Sequence, residues 1–417
     1  MSWDAAAAAG DEPYEGPPPT RPPVAAPWAP GQWAPAPWQP VPWQPGPWPP
    51  SPGAMPPPPA EPPPWAQARW GPAAWDVPAR RPGPPWGQLP PAYPPRWLPP
   101  GTPPHDEPQP FLLAMRSRTW RWWRPALGLL LFTVAYVVAA VITLVGGGLG
   151  IVLSQGVDLS SEDPDFSGPG SFLLLNLVTA VAIPVIWLAW GAAHRMRIGW
   201  SSSVLGRLRW RLFPPYVGLA LLTIGAAIAV SMALAVAGGW EIDGPVDSFG
   251  LLVVVVLLTT PLQSAAEEYL FRGYLSQAVA GWVRNERAGA ISAAVLTAAL
   301  FSAAHLPVDL PTFLHLFLVG LAASAVVWLT GGLEAAIALH TVNNVVIFLL
   351  AGAIGEDATT SAASQAGVPW PEVLLMALAL SVFVALVARS RRRWRPETRT
   401  AAVDLRLPFP AVPAPAR

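Results

Sequence analysis

LLVVVVLLTTPLQSAAEEYLFRGYLSQAVA, residues 251–280, is long and apolar enough to cross a bilayer, yet it carries Glu267, Glu268 and Arg272. A crossing helix needs about 20 mostly apolar residues to traverse ~30 Å of hydrocarbon. In that medium every backbone polar group must be satisfied within the segment, which makes an isolated span a helix. Ionised side chains are costly there, roughly 2.5–3.5 kcal/mol each on insertion scales, so they are rare and mark function by default. Two adjacent carboxylates with an arginine one helical turn on therefore set both the fold class and the place to look for chemistry.

Working outward, eight such runs are expected: about 126–153, 171–193, 214–238, 250–280, 289–306, 311–329, 333–351 and 371–388. The fold class is accordingly all-α, a polytopic membrane helix bundle. The fourth run would measure roughly 50 Å at 1.5 Å per residue, so a kink at Pro261, a tilt or a cytoplasmic overhang must absorb the excess.

Arginine placement orients the bundle. Arg116, Arg118, Arg121 and Arg124 precede the first run, and Arg195, Arg197, Arg207, Arg209 and Arg211 separate the second from the third. Arg284 and Arg287 follow the fourth, and RSRRRWR (389–395) follows the eighth. The alternate loops are acidic, with Asp158, Glu162, Asp163 and Asp165, then Glu241, Asp243 and Asp247, then Glu356 and Asp357. Both termini are expected in the cytoplasm of a multi-pass protein of the cell (plasma) membrane.

Composition separates the chain further. Residues 1–115 read as a Pro/Trp-rich disordered cytoplasmic tail, as in APWAPGQWAPAPWQPVPWQPGPWPP (26–50). Proline removes donors and fixes φ, which favours extended, polyproline-like chain without a core. Such a tail serves as a spacer or offers Trp and Pro to an interaction partner. Residues 116–249 hold the first three membrane helices, 250–351 a core of helices four to seven that carries the intramembrane charges, 352–390 a loop and the eighth helix, and 391–417 an Arg/Pro-rich cytoplasmic tail. Residues 1–25 lack the basic and apolar regions of a secretory signal, so targeting is expected from the first span. The 417 residues include no cysteine, which excludes disulfides, thiolate metal sites and a cysteine nucleophile, and all 25 basic residues are arginine. The net charge of zero averages unlike segments, and no nucleic-acid partner is expected.

Within the spans the remaining polar residues fall in register. The midpoint between Glu267 and His305 is residue 286, in the turn WVRNERA, so an antiparallel pair of helices brings both to one depth. His340 and Asn344 lie one helical turn apart on a single face. Glu267 can take a proton from water that His305 orients, and His340 with Asn344 can donate to a developing oxyanion. Glu268 and Arg272, at i and i+4, can pair and neutralise each other. Alternatively Glu267, His305 and His340 form a His/His/carboxylate set for a divalent metal such as zinc. His315 and Asn343 are expected to hydrogen-bond between helices, and Glu334 to complement a helix N-terminus.

EEYLFRG (267–273), FSAAH (301–305) and HTVNN (340–344) together resemble the three motifs of the CPBP intramembrane proteases. That family groups type II CAAX prenyl endopeptidases with bacteriocin-processing and immunity-associated (Abi-like) proteins. Its pattern is E-E-x-x-x-R, F-x-x-x-H and H-x-x-x-N on about eight helices, and the likeness covers about 250–350. The resemblance implies an intramembrane endopeptidase in which Glu267 and His305 activate water and His340 and Asn344 stabilise the oxyanion. Glu268, Arg272 and Phe301 then act in support. Members are commonly called metalloproteases, and the resemblance leaves open whether a metal or Glu and His alone prepare the water. The expected partners are the lipid bilayer and a membrane-associated protein or peptide substrate. Two other functions use the same residues: a proton-coupled transporter, for which the internal repeat is missing, and a non-catalytic scaffold, which would tolerate loss of Glu267.

Overall fold

The computed structural model describes residues 103–157, 167–283, 285–356 and 367–401. All fall in one unit of the chain, Tyr93–Arg417. The Pro/Trp-rich repeats, and the expectation of disorder there, lie outside the described residues. Among the described residues eight helices are long and apolar enough to cross a membrane: α1 (Arg124–Ser154), α2 (Pro169–His194), α3 (Trp210–Ala237), α4 (Phe249–Trp282), α5 (Glu286–Ala304), α6 (Leu310–Thr330), α7 (Glu334–Ala353) and α8 (Trp370–Trp394). Each coincides, to within several residues at either end, with one of the eight runs expected from sequence.

Their outer faces stay apolar, as lipid requires. In α1, Leu130, Val134, Ile142, Val145 and Leu153 are all exposed, and little of this helix is buried. At the centre stands α4, flanked by α2 and α7; α5 and α6 form a hairpin beside it, and α8 packs on α6. A break at Val181 in α2 has a local cause. Pro184 has no N–H to offer the carbonyl of Ala180, so the helical ladder is interrupted there.

The excess length of α4 is absorbed in two ways. A π-helical turn, Tyr269–Leu275, follows directly on Glu268, the kind of bulge that recurs at functional sites. Beyond it the helix runs on to Trp282, mostly buried against its neighbours: Gln277 Nε2 donates to the Trp200 carbonyl at 3.1 Å, and Trp282 Nε1 to the Trp122 carbonyl at 2.7 Å. Pro261 sits inside the helix without ending it.

One end of the bundle gathers the arginine-bearing segments. Pro110 bridges Arg399, Ser203 bridges Gly332, and Arg399 pairs with Glu286 at 3.0 Å. Gly331 caps α6 with φ +72°, a left-handed conformation that glycine adopts without strain. Two stretches read as tail are corrected here. Residues 103–115 pack on the bundle instead, burying Phe111, Leu112, Leu113 and Met115, because the run FLLAM supplies apolar surface that the Pro/Trp repeats lack. Residues 395–400 likewise fold back, with Thr400 N donating to the Gln109 carbonyl at 2.8 Å.

Candidate active site

Glu267 and Glu268 occupy the last regular turn of α4 before the π turn, and adjacent helical positions point about 100° apart. The two carboxylates accordingly meet different partners. Glu268 Oε1 accepts from Arg272 Nη1 at 2.9 Å and from His340 Nδ1 at 2.9 Å. The pair is deeply buried, Arg272 at 0% and Glu268 at 1% side-chain exposure. Arg272 Nη2 also donates to the Gly320 carbonyl at 3.0 Å, and its guanidinium lies 4.8 Å from the centroid of the Phe301 ring. Gly320 is required at this crossing, since a Cβ there would stand 2.8 Å from Ala298 Cα. Phe301 is the wall of the site, edge-on to His340 with centroids 5.6 Å apart.

The hydrogen bonds fix the tautomers of both histidines. His305 Nδ1 lies 2.7 Å from the Phe301 carbonyl. A carbonyl only accepts, so this nitrogen carries the proton, and a neutral His305 presents its lone pair at Nε2. By the same logic His340 Nδ1 donates to Glu268, and a neutral His340 also presents a lone pair at Nε2. Both Nε2 atoms face Glu267, at 3.9 Å (His305) and 3.8 Å (His340) from Oε2. Oε2 is buried and finds no hydrogen-bond partner among the described residues. Separations of this size are too long for direct hydrogen bonds and suit a bridging water.

Glu267 Oε1 is held by a residue that sequence reading missed. Gln263, one turn earlier on α4, donates to it through Nε2, while Gln263 Oε1 accepts from Asn344 Nδ2 at 3.1 Å. Asn344 is in turn braced by Asn343 Nδ2 at 3.0 Å. A polar residue four positions before Glu267 in an apolar run was the available signal. Asn344 therefore has one N–H committed to Gln263 and a second still to offer.

These groups form the floor of a cavity of about 490 Å³ whose upper walls include Phe172, Asn176, Thr179, Leu316, Ile347 and Val368. His315 and Asn343, expected as ties between helices, line this cavity as well. Asn176 on α2, unremarked in the sequence, donates to Thr259 Oγ1 and Thr260 Oγ1 at 2.8 and 3.2 Å. Glu334 stands in the first turn of α7 as expected, but its carboxylate is committed elsewhere. It accepts from Arg209 Nε at 2.9 Å, Nη2 at 2.6 Å and the backbone N at 2.8 Å. Burial alone would lower the Arg209 pKa, but the bonds and charge of Glu334 win and raise it above its ordinary value.

Two imidazole nitrogens and a carboxylate oxygen are suitable chemistry for a catalytic zinc ion. The spacing is not. Ligands about 2.0 Å from a tetrahedral ion lie about 3.3 Å apart, whereas Glu267 Oε2 is 3.8 and 3.9 Å from the two nitrogens. Among the described residues no three His, Asp or Glu side chains gather closely enough to hold an ion. As arranged, Glu267, His305 and His340 do not fit a zinc ion.

Residues 249–346 match the family model for type II CAAX prenyl endopeptidase Rce1-like. The matched stretch, under a quarter of the chain, contains every residue of the acid–histidine cluster, from Gln263 to Asn344, and is similar at the level of the family to a CAAX-type membrane protease domain. No curated protein and no solved structure matches the chain.

Proposed function

With an Rce1-like domain as premise, we propose that the chain is an intramembrane endopeptidase that hydrolyses a peptide bond of a membrane-associated protein or peptide with water activated by Glu267 and His305. The observation that carries this reading is the buried Glu267 Oε2, facing Nε2 of both histidines at 3.8–3.9 Å at the floor of the cavity. Water placed between Glu267 and His305 gives a proton to Glu267 as its oxygen attacks the carbonyl carbon. The developing oxyanion faces the second N–H of Asn344, where a dry site makes each donor worth most. His340 joins as a donor only when Nε2 is also protonated. Glu267, Glu268 and Arg272 sum to one negative charge, which a His340 imidazolium cancels. Glu267 then returns its proton to the leaving amine. Gln263 holds Glu267 in place, and Phe301 and the Glu268–Arg272 pair hold His340.

The same proposal places the arginine-rich end, with both termini, on the cytoplasmic side of the cell membrane by the positive-inside rule. The Pro/Trp-rich segment is read as a tether or a partner-binding arm. The test is cleavage of a transmembrane reporter library by purified wild type, Glu267→Gln and His305→Ala, with product ends sequenced and bound metal measured in the same samples. Wild type should cleave and both variants should not. Cleavage that survives both substitutions sinks the mechanism.

A further inference from the structure

We infer that the scissile bond reaches Glu267 from the end of the bundle opposite the arginines, as an apolar segment seated between α2, α6 and α7. This deepens the protease reading above and rests on it. On the arginine side the way to Glu267 is closed by successive buried layers. The Glu268–Arg272 pair lies next to Glu267, with both side chains at 1% exposure or less. At the very next positions, the Tyr269 hydroxyl meets Ser202 Oγ at 2.7 Å, and a Cβ on Gly273 would stand 2.9 Å from the Ser201 carbonyl oxygen. Beyond these, the Arg209–Glu334 pair is buried, with side-chain exposures of 2% and 0%.

Toward the other end the floor opens. The cavity above Glu267 is walled by the first turns of α2 (Phe172, Asn176) and of α6 (Thr312, Leu316), and by Val368 just before α8. His305 ends α5 there, and the chain turns immediately through Leu306, which is exposed and adopts φ +50°. A second cavity of about 320 Å³, lined by Ala227, Met232, Leu350 and Met376, shares His315, Ile347 and Val368 with the first. The two make a largely apolar trough at the same end, so a segment can keep its side chains out of water while its backbone meets Glu267.

Charge agrees with this sidedness. The connecting segments at this end, 156–168, 238–248, 306–309 and 354–369, hold no Arg, Lys or His. The described acids there, Glu241, Asp243, Asp247, Asp309, Glu356 and Glu372, are all exposed. By the positive-inside rule this is the extracytoplasmic face.

The absence of native cysteine makes the inference directly testable. Single cysteines are placed at Thr179 and Ile347 on the cavity wall, and at the exposed Arg207 on the arginine end. The full chain, in sealed vesicles of both orientations, is treated with a charged, membrane-impermeant maleimide, and a permeant maleimide reports that each thiol is reactive. Thr179→Cys and Ile347→Cys should label only in the vesicle orientation in which Arg207→Cys does not. Labelling from the Arg207 side, or from neither side while the permeant reagent reacts, overturns the inference. The two wall positions guard against one misfolded variant. Because labelling needs no cleavage, its failure is distinct from survival of cleavage in Glu267→Gln, which would remove the protease reading instead.

Discussion

Replacing Glu268 should expose how tightly stability and chemistry are joined at this site. Glu268→Gln keeps a side chain of the same shape, and its amide oxygen can still accept from His340 Nδ1. It removes the negative charge that faces Arg272, however, and Arg272 has 0% side-chain exposure. Its other described contacts are the Gly320 carbonyl and the rings of Phe301 and Phe271, and its Nε finds no partner among the described residues. Breaking one side of a buried pair leaves an uncompensated charge and costs about 3–5 kcal/mol. Arg272→Met leaves the buried carboxylate of Glu268 with His340 as its remaining partner, and should be destabilising as well. The double substitution Glu268→Gln/Arg272→Met removes both charges together and should cost less than either single change, since a buried pair replaced by neutral groups of similar volume is often neutral or stabilising. Reversible unfolding in detergent mixtures, followed by tryptophan fluorescence, reads all four corners of this cycle. Additive losses would refute the claim that the pair is a self-neutralising unit. Peptidase activity gives the second reading. The double variant should fold yet cleave more slowly by about tenfold or more, because a neutral amide holds His340 Nδ1 with a bond roughly half as strong as a charge-assisted one. Full activity in a well-folded double variant would show that Glu268 does no more than balance Arg272.

Gln263→Ala should lower kcat by about 10–100-fold with little change in KM, since a bond to a charged acceptor is worth about 1.5–3 kcal/mol and Gln263 supplies one to Glu267; equal kcat values in single-turnover assays would remove it from the site. Glu334→Ala strands the buried Arg209 and should cost about 3–5 kcal/mol in the same unfolding assay, against about 1 kcal/mol or less for Arg211→Ala, whose partner Glu397 is exposed; similar losses would count against a buried pair. His105 in the packed arm is held below its ordinary 6.5, first by burial and then by Arg118, although its bond to the Ala114 carbonyl and nearby Asp106 oppose this. A folded-state pKa that is lowered gives stability that is full above 6.5 and lost as pH falls from there through the folded value, because the detached arm takes up the proton. Hydrogen exchange across 103–115 should therefore speed up between pH 7.5 and pH 5 beyond its intrinsic pH trend, and His105→Gln should abolish the excess; an arm equally protected at both pH values contradicts this.

How far the sequence could be read follows from which forces are local. Lipid imposes length and apolarity on each span separately, so all eight helices are legible from single stretches of chain. The depth match of Glu267 and His305 is also local, because a short turn around residue 286 forces the two helices to run back along each other. What was not legible depends on partners distant in sequence or on side-chain direction. Glu334 looked like a dipole-complementing residue because its partner, Arg209, lies 125 positions away. The π turn after Glu268 leaves no mark in hydropathy, yet it sets where Arg272 points. The apolar run FLLAM at 111–115 was visible, but too short to claim a packing role against the proline-rich chain before it.

The adjacent glutamates divide one histidine between them. His340 gives Nδ1 to Glu268 at 2.9 Å and turns Nε2 toward Glu267 at 3.8 Å, so its ring links the paired carboxylate to the unpaired one. Glu268, already committed to Arg272, sets which nitrogen of His340 carries the proton. Glu267 then faces a nitrogen whose state has been chosen elsewhere. Two carboxylates side by side in lipid would repel if they met the same groups. Here one is neutralised by arginine, and the other is held through Gln263 with its second oxygen directed at the cavity floor. The roughly 100° between neighbouring helical positions is what allows this separation. A one-residue insertion or deletion in α4 between Gln263 and Glu267 should therefore abolish activity even where the helix survives, because an insertion turns Glu267 toward the partners of Glu268 and a deletion turns Glu268 toward those of Glu267.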